Sequence, residues 1–195
     1  MDLSTLLQGP IGNQLISSVT QKLGVSENQA QSAIAMALPL LLTALNKNAN
    51  NGDAQGIANA LEKHNGSIFD NFSGFLNGGV NTQDSLGILG HIFGNKQQTV
   101  ETAVEKSSGL NATQVMSVLV ILAPIVMNYL GKQKQANNLD ANGVAGLLGS
   151  LVNGGAAASN SNLSTFERLL DQNGDGNIKD DLVNLGSKFL GGLFK

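Results

Sequence analysis

Apolar residues recur at steps of three and four over two long stretches of the chain. Ala30, Ala33, Ile34, Ala37, Leu38, Leu41, Leu42 and Leu45 form one series, and Val115, Val118, Leu119, Leu122, Ala123, Val126, Met127 and Leu130 form the other. That spacing is the period of a helix that buries one face. Met36, Leu40, Ile121 and Ile125 carry apolarity to the opposite side, so both stretches predict helices at the centre of a domain. Ser26 with Gln29, and Asn111 with Gln114, place a capping side chain three residues before a glutamine that can reach back, the pattern of a capping box. Pro39 and Pro124 fall well inside these helices, where proline removes a backbone hydrogen bond at a cost of about 3 kcal/mol. A bend that wraps the two helices around one another is preferred to a functional hinge.

The two stretches align with one another. Gly24 to Leu45 superposes on Gly109 to Leu130, pairing Gln29 with Gln114, Ser32 with Ser117 and Pro39 with Pro124. Beyond a short insertion the match resumes, pairing Asp53-Ala54 with Asp140-Ala141. The expectation is an internal two-helix repeat over about 24–61 and 109–148. Shorter helices are expected over 9–23, 53–63, 68–76, 85–93, 97–107 and 140–152, and no alternating strand pattern survives. The fold class is therefore all-α, an orthogonal array of helices built around the repeat, with a C-terminal loop-helix appendage. Gly87, Gly90 and Gly94, and likewise Gly143, Gly146 and Gly149, recur at near-helical steps. Close helix packing is the expected reason, and a self-association groove is the alternative.

Composition narrows the chemistry. The 195 residues are 42% apolar and 13% charged, with eleven Lys and Arg against fourteen Asp and Glu. A net charge of −3 lacks the basic footprint of a nucleic-acid binder. The absence of cysteine excludes disulfides, thiolate nucleophiles, iron–sulfur clusters and cysteine-based zinc sites. Met1-Asp2 opens acidic and the first lysine is Lys22, so no secretory signal is read. The two apolar runs, 33–45 and 115–130, are shorter than the roughly 18 to 20 residues that cross a bilayer. A membrane role is disfavoured, and a cytoplasmic location is expected, with export lacking a classical signal as the alternative.

The opening MDLSTLL, the helices around AIAMALPLLLTAL and VLVILAPIVMNYL, and the glycine-rich GVAGLLGSLVNGG resemble the bacterial YidB-like family, a domain of unknown function. The resemblance covers about residues 1–153. It implies an all-helical array and brings no activity, ligand or catalytic residue.

Residues 154–162 have the small, polar composition of a connector, which sets 1–153 apart from 163–195. In the tail, Asp171, Asn173 and Asp175 occupy the first, third and fifth positions of an EF-hand-like loop, followed by Gly176 at the sharp turn. The Asn177 carbonyl would add a main-chain oxygen. Leu182 stands where the closing bidentate glutamate belongs, so Asp180 or Asp181 is expected to close the shell. Oxygen ligands without His or Cys point to Ca²⁺, with weak affinity, over zinc; Mg²⁺ and a turn that binds nothing are the alternatives. Leu182, Leu185, Phe189 and Leu193 then form an apolar stripe.

His64 and His91, the only histidines, have no nucleophile motif, zinc-helix motif or phosphate loop beside them in sequence, and read as ordinary surface or helix-end residues. Glu101 and Glu105 read as a solvated helix face, and Lys132 and Lys134 as cations complementing a helix C-terminus. The expected function is a non-enzymatic helical binding or scaffold protein that takes Ca²⁺ in its tail and meets a protein partner or its own copies. A self-assembling structural protein and a carboxylate-based hydrolase are the alternatives.

Overall fold

The computed structural model describes residues 9–153, of which 87% are helical and none is in a strand. The fold is all-α. In chain order the helices are α1 Pro10–Leu23, α2 Glu27–Asn48, α3 Ala54–Glu62, the single turn α4 Phe72–Gly74, α5 Thr82–Phe93, α6 Gln97–Ser108, α7 Ala112–Ala136 and α8 Ala141–Leu151. The connector 154–162 and the appendage 163–195 lie outside the described residues.

Helices α2 and α7 are the two apolar stretches. Ser26 and Asn111 each accept a hydrogen bond from the N–H of the glutamine three residues on, and each glutamine side chain accepts from the N-cap N–H, so both helices begin with the expected capping box. From Val118 to Gly131 every residue of α7 is buried, and Leu41, Leu42, Leu119, Leu122 and Leu130 are sealed from solvent. Burying a side chain of that kind stabilises the fold by about 1.5–3 kcal/mol, so this pair supplies much of the core. The other helices wrap it: α6 and α8 lie on α2, α5 lies on α7, and α3 bridges α7 and α8.

Both helices run unbroken across their prolines, which are buried. Helix α7 is longer than its apolar run. At 25 residues with a mean hydropathy of 1.8 it passes the length and composition test for a membrane span, the only one to do so among the described residues. However, 83% of its most apolar window is buried within the protein, which is the signature of a core helix.

The short helices depart from expectation at their ends. Helix α5 starts three residues early because the Asn81 side chain accepts the Asp84 N–H and caps it. The segment expected as one helix over 68–76 is instead a 3₁₀ turn Ser67–Phe69, the turn α4 and a widened turn Phe75–Gly79, strung along the stacked rings of Phe69, Phe72 and Phe75. Close helix packing does not explain four of the six glycines in the two series, although a Cβ on Gly149 would stand 3.8 Å from Asn46 on α2. A Cβ on Gly87, Gly90, Gly94 or Gly146 would meet nothing within 4 Å. The closest helix approach falls elsewhere, at Gly131.

Candidate functional site

A cleft of about 660 Å³ opens between α3 and α5. The two helices run in opposite directions along it. At one end the Asn48 amide, at the close of α2, donates to the carbonyls of His91 and Ile92, 3.1 and 3.0 Å away, and pins the end of α5 beside the start of α3. At the other end the charge of Asp84, in the first turn of α5, acts on His64, just past α3. The floor is apolar, formed by the buried Leu45, Ile57, Ile92 and Met127. Asp53, Lys63, His64, Asp84 and His91 supply charged and titratable groups around it. The volume and this combination of apolar floor and few polar groups match the usual form of a small-ligand site.

The histidines lie 27 positions apart in sequence, and their neighbours gave no reason to pair them. Tertiary structure does: each follows or ends a helix that faces the other across the cleft. The signal that sequence reasoning missed is the polar Asn128 inside the apolar run of α7. Asn128 is 5% exposed, and its carbonyl oxygen accepts the Gly66 N–H at 3.1 Å while its Nδ2 donates to the Pro124 carbonyl at 2.9 Å. The same Nδ2 stands 3.4 Å from His64 Nδ1. A buried amide in a helix that is otherwise greasy needs partners, and here they fix the 64–66 turn. Gly66, at φ 87°, sits against the methylenes of Lys132, which leave no room for a Cβ. Lys132 also holds its ammonium 6.0 Å from the centre of the Phe69 ring.

Burial pushes the His64 imidazole below its ordinary 6.5; Asp84 opposes the shift and Lys63 reinforces it. His64 is therefore a neutral ring at pH 7. Among the described residues no three of His, Asp and Glu converge as a metal site. Glu101 accepts from Gln97 Nε2 at 3.1 Å, and Lys134 pairs with Glu62 at 3.4 Å, which accounts for two of the charged groups weighed from sequence. The expected calcium ligands Asp171, Asn173, Asp175, Asn177, Asp180 and Asp181 lie outside the described residues.

A second cleft of similar size flanks α5 on the side of α7's first turns, with Leu86, Met116 and Val120 along it. Leu86, 44% exposed, is the one exposed large apolar side chain among the described residues. Helix α5 thus stands between two clefts, with Gly87 and Gly90 exposed along it.

The model of a family described as "bacterial protein of unknown function (DUF937)" matches residues 5–133, which include the α3–α5 cleft. No curated protein and no solved structure matches the chain.

Proposed function

The chain belongs to that bacterial family of unknown function, and from this premise we propose that it is a non-enzymatic helical binding protein whose recognition site is the α3–α5 cleft. The observation that carries this reading is that both histidines, Asp53 and Asp84 line one cleft over an apolar floor. The groups suit binding better than catalysis: His64 is turned toward a buried amide, and among the described residues neither histidine is hydrogen-bonded to a hydroxyl or a carboxylate. The test is mass spectrometry of small molecules released from the full chain purified from bacteria, compared with Gly87→Trp, which fills the cleft from an open position. A molecule retained by the parent and absent from a folded Gly87→Trp is expected. Equal retention, or none in either, would overturn the reading.

The tail loop belongs to the same proposal. Its spacing of Asp171, Asn173 and Asp175 before Gly176 supports Ca²⁺ binding. Calorimetry of the full chain against Asp175→Ala checks it, and equal null heats would remove the metal from the proposal.

We also read α2–α3 and α7–α8 as two copies of one unit, kin to the YidB-like domain. Two features support this: each long helix carries a capping box and has its proline at the thirteenth position. Self-association is the second reading, favoured by Leu86 and the open glycines of α5. Sedimentation showing a monomer at high concentration would dismiss it.

A further inference from the structure

The amide of Asn128 can be set in only one way. Its Oδ1 faces a backbone N–H, that of Gly66, and its Nδ2 faces a backbone carbonyl, that of Pro124. Backbone groups cannot exchange roles, so turning the amide over would set N–H against N–H and oxygen against oxygen. One Nδ2 hydrogen is used on Pro124, and the other is left for His64 Nδ1, 3.4 Å away. To accept that hydrogen the ring nitrogen offers a lone pair, and a neutral ring that does so carries its proton on Nε2. His64 thus brings a hydrogen-bond donor to the cleft it lines, on the ring edge away from Asn128.

Asp84 brings an acceptor. Both residues line the cleft, and the charge of Asp84 acts on His64. A ligand between them needs an acceptor toward His64 and a donor toward Asp84. A carboxylate would satisfy His64 and be repelled by Asp84, while an ammonium would satisfy Asp84 and leave the His64 donor unmet. A trans secondary amide carries C=O and N–H on opposite edges of one plane, and so can accept from one group while it donates to another. The other charged and titratable groups lining the cleft are Lys63, Asp53 and His91, while Lys132 on α7 lies behind the turn.

We propose that the cleft takes a small apolar secondary amide, its carbonyl accepting from His64 Nε2–H, its N–H donating to the Asp84 carboxylate, and its apolar arms lying on Ile57 and Met127. This rests on the cleft being the recognition site. Two NMR measurements on the full chain test it. The first is the His64 ring nitrogen shifts, for which the Nε2–H tautomer is expected. The second is titration with N-butylhexanamide and with butyl hexanoate, which keeps the shape but lacks the N–H. The amide is expected to move the Ile57, His64 and Met127 resonances and to bind roughly ten- to a hundredfold tighter than the ester, the worth of one hydrogen bond to a charged acceptor. Asp84→Ala is expected to erase that preference. A proton on Nδ1, or no movement of these resonances with the amide, would overturn the inference. Equal binding of amide and ester in the cleft would overturn it while leaving the cleft as the recognition site.

Discussion

The α-carbon of Gly131, on α7, lies against the main-chain carbonyl of His64, so that a Cβ placed there would stand only 2.8 Å from the His64 carbonyl carbon and would also collide with its oxygen. The Leu61 carbonyl oxygen would be equally near, at 2.8 Å. The neighbouring atoms are backbone, so nothing can swing aside. Gly131→Ala is expected to push the end of α3 off α7 and to cost about 1–3 kcal/mol, typical of overpacking. Urea unfolding midpoints check this against Gly146→Ala, which has open space and is expected to be stabilising by up to about 1 kcal/mol through helix propensity.

Asn128→Leu is expected to keep the branched shape but strand the Gly66 N–H, and with it the 64–66 turn. A buried unpaired donor costs about 1–3 kcal/mol. Hydrogen exchange at the Gly66 amide is the direct readout, and it is expected to quicken in the variant well beyond the exchange of α6 amides.

The depressed pKa of His64 makes a stability term that depends on pH. Well above pH 6.5 the ring is neutral in both folded and unfolded chains, and the term vanishes. As pH falls below 6.5 the unfolded chain binds a proton that the folded chain resists, so stability declines until the lowered folded pKa is passed, and the penalty then stays constant. His64→Gln, which does not titrate, is expected to flatten this part of the profile. The difference between parent and variant melting temperatures across pH 5–7 isolates the effect from the carboxylates.

Ser26→Ala and Asn111→Ala each remove a helix start and are expected to cost about 1 kcal/mol. Gln29→Ala and Gln114→Ala are expected to cost as much, because each side chain also leaves its own helix. Gln29 Nε2 donates to the Gly109 carbonyl at 3.2 Å, and Gln114 Nε2 to the Leu23 carbonyl at 3.3 Å. Thermal denaturation of the four single variants checks that the losses are alike.

The central helices were legible because one physical demand, burial of a long apolar surface, writes itself as a period of three and four from Ala30 to Leu45 and from Val115 to Leu130. Their capping boxes were legible because the partners lie only three residues apart. The cleft was not, since His64 follows α3 and His91 lies in α5, and the two acquire a common setting only when α3 and α5 flank α7. Asn128 stood in plain view as an amide among apolar neighbours, yet its partners, Gly66 and His64, are more than sixty positions away. The glycine series misled for a similar reason: a helical spacing says that Gly87 and Gly90 share a face but not what the face meets. Gly131 belongs to no series, and its need for the smallest residue comes from a carbonyl on another helix.

The crossed glutamine bonds bear on how the chain reaches this state. Each ties the beginning of one long helix to the residue that ends the segment before the other, across 80 and 91 positions. Neither start is complete until its distant counterpart arrives, so local helix nucleation and long-range closure mature together. Bisecting the polypeptide between α5 and α6 would leave two fragments, each with an unfinished beginning that only recombination could supply.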